Sequence, residues 1–368
     1  MISLIFFFVA GLALLFFGAN LLVDSSSGMA RRAGIPAVVV GATVVAFATS
    51  APEIAVSLEA AMGGNSGLAL GNVLGSNIAN ILFILGVSAL VLPLRIRLSL
   101  IRVDIPVMIG VSLLVYLLAL DGVLGAGDGA VLLALFLGFL ALQVRQARSV
   151  TGEADAEGET AADPVPGIPG TGPSGAQASL LRQALLFVVG LAMLVLGATW
   201  LVDSSVSAAR MVGLSDLVIG LTVVALGTSL PEAATSVAAA WKGEPDLTVG
   251  NVVGSNIFNL LLVLGLAALL DGGGLQVSPG ALALDLPFVI AVSIVCLPFM
   301  IEGEQLDRWE GGAFLAFYLA YTLYLVLDAT QHEYLPLFNN IMLVFVLPLT
   351  LAGLLVTGWR IWKERDLR

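Results

Sequence analysis

Residues 41–64 read GATVVAFATSAPEIAVSLEAAMGG, and residues 220–243 read GLTVVALGTSLPEAATSVAAAWKG. A second pair of blocks follows: LALGNVLGSNIANILFILGVSAL at 68–90 and LTVGNVVGSNIFNLLLVLGLAAL at 247–269. One constant offset of 179 residues superposes them, carrying Glu53 onto Glu232, Ser76 onto Ser255 and Asn80 onto Asn259. The same offset carries Gly18 onto Gly197, Asp24 onto Asp203 and Arg31 onto Arg210. Across 41–90, 28 of the 50 positions agree. That is far above chance even for apolar sequence, so the chain is an internal duplication.

Composition names the solvent. Of the 368 residues, 59% are hydrophobic and 11% charged, and the mean hydropathy is +1.04. A soluble domain carries roughly a quarter charged residues, so most of this chain is expected in lipid. The net charge of -11 and the lack of a basic aromatic patch argue against a nucleic-acid partner. The single cysteine, Cys296, lies in an apolar run. It excludes an intrachain disulfide and a thiolate metal site, and reads as a small packed residue. No cofactor is expected.

Apolar runs long enough to cross about 30 Å of hydrocarbon fall at 2–23, 35–62, 67–92, 103–120, 129–147, 181–202, 214–241, 246–270, 281–301, 311–327 and 338–358. The first lacks a basic leader and is read as a retained helix rather than a cleaved signal. With the N-terminus outside, Arg31, Arg32, Arg95, Arg97, Arg102, Arg145, Arg148, Arg182, Lys242, Arg308 and the tail Arg360, Lys363, Arg365 and Arg368 are all cytoplasmic. Only Arg210 falls outside, as the positive-inside rule requires. A multi-pass cell-membrane protein with a cytoplasmic C-terminus is therefore predicted.

Residues 149–180, rich in Gly, Pro, Ala and acid, read as a disordered cytoplasmic linker. Their acids lack the ligand spacing of an EF-hand loop. Five spans precede this linker, and an odd number sends the second copy into the membrane from the opposite side. The expected fold is all-α and polytopic, with two inverted five-helix repeats forming a ten-helix core. The divisions are a first repeat at 1–148, the linker, a second repeat at 181–330, and an extra helix with a basic tail at 331–368.

Glu53 and Glu232 sit in mid-span, where a carboxylate costs on the order of 3 kcal/mol to insert. No Lys or Arg lies at similar depth, so a bound cation or proton must compensate. Each glutamate follows Thr-Ser-x-Pro: Thr49, Ser50 and Pro52 in one copy, Thr228, Ser229 and Pro231 in the other. Proline lacks an amide hydrogen and clashes with the carbonyl four residues back, freeing carbonyls around Ala48–Thr49 and Gly227–Thr228. Irregular backbone at membrane depth survives only beside a cavity or an ion. Each copy thus supplies half of an all-oxygen cage, the environment calcium takes with six to eight oxygens at about 2.3–2.6 Å.

The second motif, Gly-Asn-x-x-Gly-Ser-Asn-Ile-x-Asn, supplies the opposite wall. Ser76 and Asn80 are four apart on one helical face, as are Ser255 and Asn259. Asn77 and Asn256 suit ligation and interhelical hydrogen bonding equally. Asp24, Asp203, Asp104 and Asp285 lie near span ends, where a capping or interfacial role is expected. His332 stands in an outer loop with Glu333 and reads as solvated surface.

The doubled Thr-Ser-x-Pro-Glu and Gly-Asn-x-x-Gly-Ser-Asn blocks resemble the two alpha-repeats, here 41–90 and 220–269, of the calcium/cation antiporter superfamily, in its prokaryotic sodium/calcium exchanger branch. The resemblance extends to about residue 327 and implies ten core helices with ion sites at mid-membrane. It implies calcium held by Glu53 and Glu232 with the carbonyls of Thr49 and Thr228. Flanking sodium sites would use the carbonyls of Ala46 and Ala225 and the hydroxyls of Ser50, Ser229, Ser76 and Ser255, with Asn80 and Asn259 closing the centre. Some members of the family, potassium-dependent ones among them, carry Asp at the place of Asn259; here both copies have Asn, which speaks against potassium dependence.

Two carboxylates neutralise one calcium or accommodate several monovalent ions, and overlapping ligands make the two loads compete. Calcium for sodium antiport is therefore expected, with proton/cation antiport on the same glutamates as the rival. The six hydroxyl and amide side chains of Ser50, Ser76, Asn80 and their mates favour sodium. An intramembrane hydrolase needs a Ser–His pair, an aspartate dyad or a zinc-binding histidine cluster. The one histidine stands outside the membrane, so an enzyme is not expected.

Overall fold

The computed structural model describes residues 2–98, 100–157, 180–213, 225–301 and 305–342, together with Ile219 and Val223. Helix α1 (Ile2–Ala33) leads to a bent pair, α2 (Ala37–Thr49) and α3 (Ala51–Met62), which meet at 47°. Then come α4 (Ser66–Val91), strand β1 (Leu94–Arg95), α5 (Leu100–Asp121), β2 (Val123–Leu124) and α6 (Ala126–Glu157). The second half holds α7 (Leu180–Met211), a helical turn at Ala225–Gly227, α8 (Leu230–Trp241), α9 (Pro245–Leu270) and β3 (Leu275–Gln276). It ends with α10 (Ala281–Leu297), β4 (Gln305–Leu306), α11 (Arg308–Ala329) and α12 (Leu335–Ile341).

Seven of these helices are long and apolar enough to cross a bilayer, or eight with the bent pair taken as one span. They fall on eight of the eleven runs read from the sequence. Helix α10 and the described part of 214–241 cover two more as shorter helices. Helix α12 enters the eleventh run, and residues 343–368, with most of that run and the basic tail, lie outside the described residues. Helix α6 continues to Glu157, past the expected start of the linker at 149. Its extension holds Glu153, Ala154, Ala156 and Glu157, good helix formers that propagate once the membrane span has nucleated the helix. Residues 158–179 of the linker also lie outside the described residues.

Helices α4 and α9 form the centre, with 78% and 83% of their most apolar windows buried; for α1 and α7 the share is 22%. The outer pair shows Phe6, Phe16, Phe17, Leu185 and Val188 to its surroundings, the side chains that lipid would cover. Helices α1 and α7 pack on each other more extensively than any other pair. Their approach needs glycine: a Cβ on Gly11 would stand 2.9 Å from the Gly197 carbonyl oxygen, and one on Gly18 would stand 2.8 Å from that of Gly190. Together with parts of α2, α8 and α9, the pair shares an apolar cluster (Leu22, Val45, Leu194, Ala198 and Ala239 among it) separate from the main core.

Contacts between the halves come in reciprocal sets. Offset by 179, Gly11 corresponds to Gly190 and Gly18 to Gly197, so the two close approaches are one contact made twice. Strand β1, which follows the third span of its half, pairs antiparallel with β4, while β3, which follows α9, pairs with β2. Polar ties gather at the two ends. Arg31–Glu244 (3.4 Å), Lys242–Asp24 (2.7 Å) and Arg97–Asp246 mark one end. Ser66 donating to Asp271 (2.9 Å) marks the other.

Helix α9 meets α2 at Gly254, where a Cβ would stand 2.6 Å from both the Cα and the carbonyl oxygen of Ala42. Those are backbone atoms that cannot swing aside. Gly254→Ala should therefore cost roughly 1–3 kcal/mol of stability, read as a lowered Tm of the detergent-purified protein. Gly110→Ala, on α5 with nothing described within 4 Å, should leave the Tm unchanged or slightly raised.

Candidate functional site

The site begins at two breaks in the helices. At Ser50 the backbone leaves the helical region (φ -77°, ψ 7°), and Pro52 opens α3 in its first turn, where a missing amide hydrogen is harmless. Ser229 has nearly the same conformation (φ -84°, ψ 6°) before Pro231 and α8. Each glutamate therefore lies in the first turn of a helix, with the free amides of that turn beside it.

Glu53 and Glu232 are 0% and 1% exposed, and the structure brings them together through the partner copy. Ser50 Oγ donates to Glu232 Oε1 at 3.1 Å, and Ser229 Oγ donates to Glu53 Oε1 at 3.2 Å. Ser76 Oγ also donates to Glu53 Oε1, at 3.4 Å. Its mate Ser255 is fully buried but makes no such bond. No ion pair reaches either glutamate among the described residues.

Orphaned polarity concentrates here. Twelve buried side-chain N or O atoms lack a hydrogen-bond partner among the described residues, and seven belong to the two motifs. They are Glu53 Oε2, Glu232 Oε2, Asn77 Oδ1, Asn80 Oδ1, Ser255 Oγ and both amide atoms of Asn259. An unsatisfied buried polar group costs about 1–3 kcal/mol and charged ones more. Six of these seven atoms are oxygens, the donor set a hard cation uses. Among the described residues no group of three His, Cys, Asp or Glu side chains could hold a metal. Any cation here would thus be held by two carboxylates plus neutral oxygens, a set suited to passage rather than permanent residence.

The remaining expected ligands are placed as follows. Thr49 is buried and Thr228 half-buried, each at its break. The Ala46 carbonyl accepts the Ser50 amide at 3.0 Å and has Thr49 Oγ1 at 3.5 Å. Ala225 lies in the helical turn before the second break. Wider π-type turns begin at Ala79 in α4 and at Asn259 in α9, the positions carrying Asn80 and its mate. Such bulges free backbone groups and frequently mark functional sites. Asn80 Nδ2 donates to Asn256 Oδ1 at 3.0 Å, and Asn77 Nδ2 to the Asn256 carbonyl at 3.3 Å. The Asn77–Asn256 pair thus joins the two central helices.

Sequence reading passed over Asn72 and Asn251, the first asparagine of each second motif. Thr228 Oγ1 donates to Asn72 Oδ1 at 3.3 Å, and Thr49 Oγ1 lies 3.3 Å from Asn251 Oδ1 and 3.1 Å from the Val45 carbonyl oxygen. Asn72 Nδ2 donates to Ser57 Oγ (2.9 Å) and Asn251 Nδ2 to Ser236 Oγ (3.0 Å). Each asparagine therefore ties the break of the opposite copy to the helix following its own copy's break. Their recurrence at the 179 offset was the available signal. Asp104 is buried rather than interfacial, taking a short hydrogen bond from Gln143. Asp285 accepts from Tyr321 at 3.3 Å.

A polytopic helical protein with two facing carboxylates at its buried centre defines a secondary transporter of cations. The comparisons agree. The profile of the sodium/calcium exchanger protein family matches residues 3–145 and 182–327, and the chain belongs to that family, in its prokaryotic branch. It is 36% identical to the putative antiporter CaxA of Alkalimonas amylolytica over 86% of this chain and 96% of the relative. It is 32% identical to the sodium/calcium exchanger MaX1 of Methanosarcina acetivorans over the same shares. Among solved structures, the sodium-calcium exchanger NCX_Mj soaked with zero Na+ and Ca2+ is similar, with a TM-score of 0.72 and 31% identity, covering 87% of this chain and 98% of that one. The chain is a multi-pass membrane cation antiporter.

If the asparagine clamps hold the breaks, Asn72→Ala strands the Thr228 and Ser57 hydroxyls, while Asn251→Ala strands that of Ser236 and leaves Thr49 its Val45 carbonyl at 3.1 Å. Each should lower stability by about 1–3 kcal/mol, with Asn72→Ala at the upper end because it also removes the bond to the Glu53 carbonyl and leaves Thr228 no other acceptor among the described residues. Thermal unfolding of the two variants side by side checks both magnitude and order.

Proposed function

We propose that this protein exchanges calcium for sodium across the cell membrane by alternating access, with Glu53 and Glu232 as the shared ligands. One observation carries the reading: each buried carboxylate accepts a hydroxyl from the opposite copy's break, while its second oxygen, Oε2, has no partner. A calcium ion bridging the two Oε2 atoms, with the Thr49 and Thr228 carbonyls, neutralises both charges. Sodium ions on either side use Ser50, Ser229, Ser76 and Ser255 with the carbonyls of Ala46 and Ala225, and Asn80 and Asn259 close the centre. Calcium and sodium share the glutamates, so one load displaces the other.

The fold proposed for this work is two inverted five-helix repeats with an added C-terminal span. The reciprocal strand pairs, glycine contacts and hydroxyl bonds support it, since each contact is made twice with the copies exchanged. Inverted repeats let one set of contacts open while its counterpart closes. The end carrying Arg31, Arg97 and Lys242 is placed in the cytoplasm, as the positive-inside rule indicates. Sodium rather than a proton is taken as the counter-ion. The family and MaX1 are described as exchangers of sodium and calcium, and nothing among these relatives favours the proton.

In proteoliposomes, Glu53→Gln and Glu232→Gln should each abolish calcium uptake driven by a sodium gradient while remaining folded. Parental flux from either variant sinks the reading. Uptake in the parent driven by a pH gradient without sodium would replace sodium with a proton.

A further inference from the structure

The two copies are not identical, and their departures fall where they change chemistry. Glu232 is followed on α8 by Thr235 and Ser236, three and four residues on, so both hydroxyls stand one turn along its face. Ser236 is engaged by Asn251. Thr235 is 0% exposed and its Oγ1 has no hydrogen-bond partner among the described residues. At the mate position beside Glu53 stands Val56, which has the same shape without the hydroxyl. Helix α8 also packs on the last part of α4, where Ser88 is fully buried with an unpartnered Oγ and has the apolar mate Ala267. A half-buried valine fills the place beside Glu53, while the Glu232 copy seals in a hydroxyl that has no hydrogen-bond partner among the described residues.

We propose that Thr235 supplies a hydroxyl oxygen to a cation on the Glu232 side of the site, making the two flanking monovalent positions unequal. This rests on the exchange reading above. Thr235→Val should raise the sodium concentration for half-maximal calcium exchange roughly three- to tenfold, with an unchanged or higher Tm. Thr235→Ser, which keeps the hydroxyl, should restore the parental value. Parental sodium dependence in Thr235→Val overturns the proposal. Glu232→Gln run alongside separates the cases: if it abolishes flux while Thr235→Val changes nothing, only the hydroxyl assignment fails.

A different departure lies in the loop after each bent span. Lys242, Glu244 and Asp246 have Gly63, Asn65 and Gly67 as mates. All three charged residues pair: Lys242 with Asp24 and Glu244 with Arg31, both on α1, and Asp246 with Arg97. Lys242 Nζ also donates to the Asn20 carbonyl of α1 at 3.1 Å. The mate loop at 63–67 carries no charged side chain. Burial follows this difference: Thr49 and Asn251 are fully sealed, while their mates Thr228 and Asn72 are half-buried. The α1–α7 pair meets the rest of the molecule through its own apolar cluster, separate from the main core.

The geometry points to an ion-pair latch at this end. Ion pairs from the 242–246 loop hold α1 against α8 and keep that end shut. Its test is conformational and independent of which ions are carried. Spin labels at Ala33→Cys and Leu98→Cys, both exposed and at the latched end, are placed in a Cys296→Ala background. Adding Arg31→Gln and Lys242→Gln should move the distance distribution in sodium buffer toward longer separations, with the longer population rising roughly tenfold. The swap Asp24→Lys with Lys242→Asp, on native Arg31, should return it to the parental distribution. A distribution unchanged by the double neutralisation overturns the latch.

Discussion

Two carboxylates share the buried centre of this protein, and among the described residues no lysine or arginine pairs with them. Each is anchored by one oxygen to a hydroxyl of the opposite copy, and each keeps the other oxygen unpaired. A charge in such a place is tolerated only when something neutralises it, so the rest of the structure reads as the apparatus that holds this pair apart from water and from each other. Replacing the glutamates by apolar residues would remove the need for most of it.

That apparatus is built from helix defects. The breaks at Ser50 and Ser229 turn the serine hydroxyls across the centre, and the prolines behind them set the glutamates in a first helical turn. The wider turns beginning at Ala79 and Asn259 do the same for the second wall. Defects of this kind are costly in a lone helix. Here the asparagine clamps carry hydrogen bonds between the copies, so each break is held by the half of the molecule that does not contain it. Neither copy can complete the site alone.

Reciprocity also explains why the peripheral contacts matter. Glycine approaches between α1 and α7, and the crossed strand pairs at the span ends, join the same two copies that the hydroxyls join at the centre. Departures from reciprocity are therefore informative. Ser76 bonds its glutamate and Ser255 does not, and three ion pairs stand at the end where the loop of the second copy is charged. A duplicated fold that works on two different solutions has reason to keep such differences.

The sequence by itself determined the lipid solvent, the duplication and the identity of the paired acids, because hydropathy, a fixed offset and mid-span charge are properties of single residues and their spacing. It named Ser50, Ser229, Ser76 and Asn80 because they share motifs with the glutamates. It passed over Asn72 and Asn251, and misplaced buried Asp104 at an interface, because their partners Thr228, Thr49 and Gln143 stand far away along the chain. Only the tertiary structure decided which copy each serine serves: Ser50 is three residues from Glu53 yet bonds Glu232. A hydroxyl's partner is fixed by how two breaks face one another in space, and no local spacing encodes that.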